Sequence, residues 1–556
     1  MRALEQAADS QGLSYAQMME NAGQAVAAWL LRKAAPDRSI LVLVGPGNNG
    51  GDGLVAARHL HQGGTSVVLY VWKRDVEEDK NWELVQSQGV PAFWSEQDRG
   101  YRDLRRLVVQ SDWIIDALLG TGVSRPASGA LKDILSVVTK GIEQRRASRP
   151  LQFASVLPVA HETGADMGPL VLALDVPSGL NSDTGAVDPA TIPADVTITL
   201  AFPKIGQFLF PGRSYVGELV VADIGIPTAL SAEIAAEVST PQLIQSLLPP
   251  RPIDAHKGTF GKVMVVAGSS NYTGAAYLAA RAATRVGAGL VTLGIAESLH
   301  AVLAGKVSET TFLLLPHDMG ALTPSAVRPL LEQLETYDAL LLGPGLGRHE
   351  KTVAFVAQLL GVPLSPKKAH LGFVEPSAAG AEKGPRLPPL IIDADALNAL
   401  AGIDGWPEAL PSNAALTPHP GEMARLLRST VAEVESQRID AARHAAEKWN
   451  TIVVLKGAHT VVAAPPALQS RTVDGRVYVN PFANPALATA GSGDVLAGAI
   501  AGFVAQGLPP FDAAIAGTYV HGLAGELVKE DIGQAGAVAG DLLDRLPLSI
   551  RRIAGA

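Results

Sequence analysis

Ile40-Leu-Val-Leu-Val44 runs into Gly45-Pro-Gly-Asn-Asn-Gly-Gly-Asp-Gly53, and Leu54-Val-Ala-Ala-Arg-His-Leu60 follows. The first five residues read as a strand covered on both faces, since such strands are continuous apolar runs. The last seven read as a helix. Strand, Gly-rich turn and helix together form the α/β unit that offers free backbone amides to a phosphate. Gly45, Gly47 and Gly50 also satisfy G-x-G-x-x-G, so a dinucleotide-binding dehydrogenase has to be weighed. That reading wants an acid after the next strand, but Ser66-Val-Val-Leu-Tyr-Val-Trp72 ends in Lys73-Arg74, which suits only a 2′-phosphate. Asn48, Asn49 and Asp52 are more polar than a pyrophosphate turn needs. Their oxygens suit a polar ligand or a hard cation.

Working outward, residues 4–8 and 15–33 read as helices ahead of this unit. Two later strands end in similar polar clusters. Trp113-Ile-Ile-Asp-Ala-Leu-Leu-Gly-Thr-Gly122 places Asp116 before a turn, and Leu170-Val-Leu-Ala-Leu-Asp-Val-Pro-Ser-Gly179 places Asp175 and Ser178. Any one of these alone reads as a loop cap or Asx-turn. At successive strand ends of an open parallel sheet, Asn49, Asp116, Asp175 and Ser178 can converge on one ligand. Strands at 196–202 and 217–224 close this half. Residues 139–169 read as an insertion without periodicity.

The chain has 556 residues, too many for one ordinary core. With 47% hydrophobic and 18% charged residues it can bury extensive sheets. A net charge of −9 without a basic stripe, and aromatics at 5%, argue against a nucleic-acid binder. The absence of cysteine excludes disulfides and thiolate chemistry and fits a cytoplasmic protein. No apolar run reaches the ~18 residues of a membrane span, and the N-terminus lacks a signal-peptide core. We therefore expect a cytoplasmic protein with small-molecule substrates, without nucleic-acid or membrane partners, assembled as a homo-oligomer.

After a helix-rich joint, strand–helix alternation restarts at Lys262-Val-Met-Val-Val-Ala-Gly268 and continues through Ala339-Leu-Leu-Leu-Gly-Pro-Gly-Leu-Gly347, Leu390-Ile-Ile-Asp-Ala-Asp-Ala-Leu397, Leu416-Thr-Pro-His-Pro-Gly-Glu422 and Thr451-Ile-Val-Val-Leu-Lys-Gly457. Residues 361–388 read as a surface insertion. Near the end stands Thr489-Ala-Gly-Ser-Gly-Asp-Val-Leu-Ala-Gly-Ala-Ile-Ala-Gly502. A helix starting there would aim free N–H groups and its positive dipole end at an anion. Asp494 would stand beside that anion, able to take a proton from an attacking hydroxyl. The same residues also suit a Gly-rich turn with an acidic cap. No G-x-x-x-x-G-K-[ST], H-R-D or D-F-G occurs, so P-loop and protein-kinase chemistry in their usual forms are excluded.

Glu20-Asn-Ala-Gly23, the 45–53 run, Asp116-Ala-Leu-Leu-Gly-Thr-Gly122 and Asp175-Val-Pro-Ser-Gly179 resemble the NAD(P)H-hydrate epimerase domain. The late Gly-Ser-Gly-Asp resembles the ribokinase-like fold. Within that fold Tyr272-Thr-Gly-Ala-Ala276, Gly343-Pro-Gly-Leu-Gly347, Asp393-Ala-Asp-Ala-Leu-Asn398, Thr417-Pro-His-Pro-Gly-Glu422 and Lys456-Gly-Ala-His-Thr460 resemble the NAD(P)H-hydrate dehydratase branch. The resemblance implies an α/β protein of two doubly wound three-layer αβα domains. A Rossmann-like epimerase domain would span 1–225, a joint 226–250 and a ribokinase-like dehydratase domain 251–556.

In the first domain the resemblance implies that Asn48, Asn49, Gly50, Gly51 and Asp52, with Gly120, Thr121, Gly122, Val123, Ser124, Arg125 and Pro126, line the hydrated nucleotide. Asp175 would be the catalytic carboxylate, and Asn49, Asp116 and Ser178 would hold potassium. In the second domain Ala275, Gly345, His419 and the catalytic Asp494 would contact the hydrated cofactor. Lys456, Gly457, Ala458, His459, Thr460 and Gly493 would contact the adenine nucleotide. His419 between two prolines also reads as a structural turn residue, and Lys456 as a strand-end charge. Magnesium and ADP are implied. The residues leave ATP open, and a fused chain favours ADP by resemblance only. The readings that compete are a kinase of a small hydroxylated metabolite, an NADP-dependent dehydrogenase, and a first domain serving only as scaffold.

Overall fold

A computed structural model describes residues 1–33, 38–122, 125–147, 168–362, 386–469 and 476–555. The chain divides into two compact units, Met1–Glu233 and Ile234–Ala556.

The first unit is built on seven parallel strands: β1 (Ser39–Val44), β2 (Ser66–Val71), β3 (Ala92–Trp94), β4 (Trp113–Ala117), β5 (Leu170–Leu174), β6 (Val196–Leu200) and β7 (Glu218–Ala222). Their order is β3-β2-β1-β4-β5-β6-β7. The order reverses between β1 and β4, and an open α/β sheet has its ligand crevice at such a reversal. β1 shows why the sheet has two covered faces. Ile40, Val42 and Val44 pack with the helices Tyr15–Lys33 and Asn48–Gln62, whereas Leu41 and Leu43 pack with Arg102–Gln110 and Ala130–Ala147. Side chains alternate across a strand, so a continuous apolar run serves two helical layers.

Two local expectations change. The helix after β1 begins at Asn48 rather than Leu54, so most of the glycine run is helical. Glycine is a poor helix former, but contact overrides propensity here. A Cβ at Gly50 would lie 2.0 Å from the Gly45 carbonyl oxygen, and one at Gly53 would lie 2.6 Å from Ala117 Cβ. In addition, residues 139–147 are the end of the helix Ala130–Ala147, whose Val138, Gly141 and Ile142 are buried. They are not part of an aperiodic insertion. Most of the rest of that segment, and of the 361–388 segment, lies outside the described residues.

The second unit opens with β8 (Ala236–Val238), drawn from the stretch read as a joint. Then come β9 (Lys262–Val266), β10 (Leu290–Ala296), β11 (Thr311–Leu315), a ribbon of β12 (His317–Asp318) and β13 (Ala321–Leu322), β14 (Ala339–Leu342), β15 (Leu390–Ile392), β16 (Ala415–Leu416), β17 (Ile452–Leu455), β18 (Val461–Ala463) and β19 (Val477–Val479). The main sheet runs β11-β10-β9-β14-β15-β16-β17-β18-β19-β8. It is parallel as far as β17 and antiparallel across β17–β18 and β18–β19. Its order reverses between β9 and β14.

The helix Ser492–Ala505 is buried from Val495 onward, as expected for a helix apolar on every side. It lies against the helix Thr273–Arg285 at backbone distance. A Cβ at Gly498 would fall 2.2 Å from the Ala279 carbonyl oxygen, and one at Gly502 would fall 2.4 Å from Val286 Cγ2. The small-residue run is therefore a helix-packing surface as well as a candidate anion site. Among the described residues, no helix is long and apolar enough to cross a membrane.

Candidate functional site

In the first unit a cavity of about 970 Å³ opens at the β1/β4 reversal. Its lining includes the predicted Asn48, Asn49, Asp52, Gly120, Thr121, Gly122, Arg125 and Asp175. The volume lies at the upper end of the range for small-molecule sites. Gly50 and Gly51 are predicted contacts but serve as packing positions, against the Gly45 carbonyl and Met19 respectively. Pro126 is not among the lining residues, and Val123 and Ser124 lie outside the described residues.

Three predicted residues are joined by hydrogen bonds at the ends of β4 and β5. Asn49 Nδ2 donates to the Leu119 carbonyl at 2.9 Å, and Leu119 N–H donates to Ser178 Oγ at 2.9 Å. Ser178 Oγ donates to Asp116 Oδ1 at 2.6 Å, and Ser178 N–H donates to Asp116 Oδ2 at 2.9 Å. Burial raises the Asp116 pKa, while the bonds from Ser178 and Leu118 restrain the rise. Asn49 Oδ1 is buried with no hydrogen-bond partner among the described residues. An orphaned amide oxygen beside a carboxylate, a hydroxyl and a carbonyl is a donor set for a hard cation.

Asp175 adopts φ 67°, a left-handed conformation that is costly for a residue with a side chain. Its carboxylate forms a buried ion pair with Lys204. It also accepts from Thr199 Oγ1 at 3.3 Å and from Leu200 N–H at 3.0 Å. Gln207 Nε2 donates to the Asp175 carbonyl at 2.8 Å. Sequence reasoning missed Lys204, Thr199 and Gln207. The signal available was a strand with buried threonines followed by Ala201-Phe-Pro-Lys204.

Asp52 lines the same cavity. Its pKa is pushed well up, first by burial and then by the negative charge of Asp175. Asp52 lies beyond the first turn of its helix, so the helix dipole favours the ionised form by less than the ~0.3–1 kcal/mol of a first-turn acid. Desolvating an unpaired charge costs on the order of several kcal/mol, so burial prevails. Arg74 is held away from any ligand role. It donates to the Gly45 and Gly47 carbonyls at 2.9 and 3.0 Å and pairs with Asp79 at 2.7 Å. The residue that could have read a 2′-phosphate instead braces the glycine loop.

In the second unit, Ala275 follows β9 and Gly345 follows β14, at the order reversal. Gly345 has φ 63°, and a Cβ there would sit 2.7 Å from Ala275 Cβ. The ends of β15, β16 and β17 supply a charged cluster. Lys456 Nζ donates to Asp393 Oδ1 at 2.5 Å and lies 3.9 Å from Glu422 Oε2. Thr417 Oγ1 donates to Asp393 Oδ1 at 2.7 Å, and Asp393 Oδ2 is buried with no partner among the described residues. Burial works against the Lys456 charge, but Asp393 and Glu422 outweigh it and raise its pKa.

The cluster holds more carboxylates than cations. Burial and Asp393 push Asp494 up to about 7, with Lys456 opposing. Burial is also the main cause of Glu422 rising to about 7. Asp494 occupies the first turn of its helix behind Gly491, whose φ of 91° turns the chain into the helix. Gly493 closes on the ammonium, since a Cβ there would lie 3.3 Å from Lys456 Nζ. Buried His521, lowered to about 4 mainly by desolvation, bonds through Nε2 to the Ser492 carbonyl at 3.0 Å and secures the turn.

His419 caps its helix beside the charged cluster. Its Nδ1 accepts from Gly421 N–H at 3.0 Å and Glu422 N–H at 3.4 Å, while Glu422 Oε2 accepts from His419 N–H at 2.8 Å. With Nδ1 accepting, Nε2 carries the proton and serves as a donor. Gly457 and Ala458 are exposed, and Thr460 Oγ1 donates to the Gly457 carbonyl at 3.0 Å. His459 differs from the expected nucleotide contact. Its side chain is buried against the Asn480 carbonyl at 3.0 Å, and its N–H is bonded to Phe482. The strand charge pattern around β17 pointed to Lys456, but not to Asp393 or Glu422 as its partners.

Residues 15–206 match the family model described as YjeF-related protein N-terminus, and residues 263–548 match that described as NAD(P)H-hydrate dehydratase. The bifunctional NAD(P)H-hydrate repair enzyme Nnr of Moorella thermoacetica is 39% identical over 547 residues, covering 96% of this chain and 92% of that protein. That of Escherichia coli is 34% identical over 551 residues, covering 98% and 91%. The crystal structure of the ADP/ATP-dependent NAD(P)H-hydrate dehydratase from Bacillus subtilis, co-crystallised with ATP and Mg2+, is 29% identical. It covers 58% of this chain and 99% of that one, with a TM-score of 0.46.

Proposed function

The chain belongs to the family of bifunctional NAD(P)H-hydrate repair enzymes, and on that premise we propose how its own residues carry out the two reactions. The protein is an NAD(P)H-hydrate epimerase in its first unit and a nucleotide-dependent NAD(P)H-hydrate dehydratase in its second. The substrates are hydrated NADH and NADPH, which carry a hydroxyl at ring carbon 6 and occur as two epimers.

In the second unit, Asp494 takes the proton of the carbon 6 hydroxyl of the S-epimer as that oxygen attacks the terminal phosphorus of ADP or ATP. The observation that carries this reading is a carboxyl with a pKa near neutrality, on the first turn of a helix and beside the Lys456–Asp393 pair. A base works best when its pKa lies close to the working pH. The free N–H groups behind Gly491 offset charge that develops on the transferred phosphoryl. His419 offers its Nε2 proton to the hydrated ring, and Lys456 with the exposed 457–458 turn meets the nucleotide. Magnesium, when bound, neutralises phosphate charge. Asp393, whose buried Oδ2 has no hydrogen-bond partner among the described residues, would be a ligand for it. The ring nitrogen then expels phosphate from carbon 6, a proton leaves carbon 5, and the ring double bond returns.

In the first unit, Asp175 moves the proton of the carbon 6 hydroxyl while the Lys204 ammonium balances its charge. Asn49, Asp116 and Ser178 would hold potassium, supported by the orphaned Asn49 Oδ1. The ion would supply a fixed positive charge beside the ligand's polar groups. The committed hydrogen bonds of Arg74 count against a dehydrogenase using the same loop.

The test is absorbance at 340 nm after mixing protein, magnesium and ADP or ATP with both epimers of hydrated NADH. Complete recovery of NADH is expected, falling to the S-epimer fraction for Asp175→Asn and to none for Asp494→Asn. A stable phosphorylated product without NADH would refute the dehydratase mechanism.

A further inference from the structure

We propose that Asp52 is the proton donor of the epimerase, working with Asp175 in the same cavity. This inference rests on the epimerase reading of the first unit.

The two carboxyls line one cavity but have opposite surroundings. Asp175 is held by the Lys204 ammonium, Thr199 Oγ1 and Leu200 N–H. Among the described residues, no hydrogen bond stabilises the Asp52 carboxyl. The charged groups acting on it are Asp175, Glu5, Arg74 and Lys204. Both cations are committed elsewhere. Arg74 binds Gly45, Gly47 and Asp79, and Lys204 binds Asp175, Thr199 and the Leu200 carbonyl. Arg2, Tyr15 and Arg125 also line the cavity, and among the described residues none of them forms a hydrogen bond to it. Burial and the Asp175 charge both favour the protonated form of Asp52. A carboxylate held by an ammonium and a buried carboxyl without such a partner can serve one ligand as base and acid.

Inversion at carbon 6 needs such a pair. Carbon 6 bears the hydroxyl and the ring nitrogen. Asp175 takes the hydroxyl proton, the C6–N1 electron pair passes to nitrogen, and nitrogen takes the Asp52 proton. The ring is then open, with an aldehyde at carbon 6. Rotation about C5–C6 turns its other face to the nitrogen. Closure reverses each transfer and returns both protons, so no oxidant or reductant is consumed.

The test follows conversion of purified R-epimer of hydrated NADH by chromatography, across pH 5.5–9.5, for wild type, Asp52→Asn, Asp52→Glu and Asp175→Asn. Dehydratase turnover on pure S-epimer normalises the amount of active chain, and urea unfolding of the first unit checks that each variant is folded. The expected loss in kcat for Asp52→Asn is about 100-fold or more, within the range for removing a general acid. KM should stay within about threefold, and the alkaline fall of the wild-type rate should disappear. Asp52→Glu should recover part of kcat and restore the alkaline fall. An Asp52→Asn loss confined to KM, or an unchanged alkaline limb, would overturn the assignment. Activity in Asp52→Asn beside an inactive Asp175→Asn would sink this inference alone. Absence of epimerisation in wild type would sink the epimerase reading itself.

Discussion

Asp494→Asn separates catalysis from stability at one side chain. The Asp494 carboxyl is displaced from 3.8 to about 7 in the folded protein, with burial the largest cause. Above pH 4 the unfolded chain has released this proton while the folded chain retains it. Stability therefore falls between pH 4 and 7, and the deficit persists at higher pH. At the fully buried limit such a displacement corresponds to about 4 kcal/mol. Solvent access at this half-buried site reduces that to about 1–2 kcal/mol. Losing an acidic group from the first turn of a helix gives back ~0.3–1 kcal/mol. The net expectation at pH 8 is a gain of about 1 kcal/mol, or about 2–4 °C in the unfolding transition of the second unit. At pH 4 the gain should vanish, because Asp494 is then neutral in the folded protein. Dehydration should fall by about 10²–10⁴-fold. Differential scanning calorimetry at the two pH values, paired with the 340 nm assay, measures both effects. A lower transition temperature at pH 8, an equal gain at pH 4, or activity within tenfold of wild type would refute the reasoning.

The wild-type dehydratase kcat/KM should drop tenfold per pH unit below about 7, because protonated Asp494 cannot accept the hydroxyl proton. A flat profile from pH 5.5 to 7 would remove Asp494 as the base. Lys204→Met leaves the buried Asp175 charge unpaired and should cost about 3–5 kcal/mol in urea unfolding of the first unit. The Lys204→Met/Asp175→Asn pair should regain much of that stability without regaining epimerase activity. Gly498→Ala forces a Cβ to within 2.2 Å of the Ala279 carbonyl oxygen and should destabilise the second unit by about 1–3 kcal/mol. A midpoint equal to wild type would show that the helix pair can part without penalty. Replacing potassium by tetramethylammonium, or making Asn49→Ala, should slow epimerisation and spare dehydration of the S-epimer. Equal loss in both reactions would remove the cation site from the first unit.

Much of the fold was legible in the order of residues. Ile40–Val44, Trp113–Ala117 and Leu170–Leu174 read as buried strands because a strand covered on both faces has no polar alternation. Asp116, Asp175 and Lys456 were legible as candidates because polar residues at the ends of such strands reach the ligand end of a parallel sheet, and Asp494 because it opens a helix behind glycines. The helical start at Asn48 was not legible. Local propensity argues against Asn-Asn-Gly-Gly-Asp-Gly, and only the close approach of Gly45 and Ala117 makes small residues an advantage there.

By itself the sequence determined which residue types stand at the strand ends, and so the two-unit α/β architecture and the chemistry within reach. Only the tertiary structure decided which charges share an environment. Lys204 pairs with Asp175 across 29 positions of chain, and Lys456 pairs with Asp393 across 63. Those pairings leave Asp52 without an ion-pair partner among the described residues and leave Asp494 and Glu422 to share what remains of Lys456. Strand-end identity follows from local periodicity, whereas the protonation of a buried carboxyl depends on burial and on neighbours brought in from distant strands.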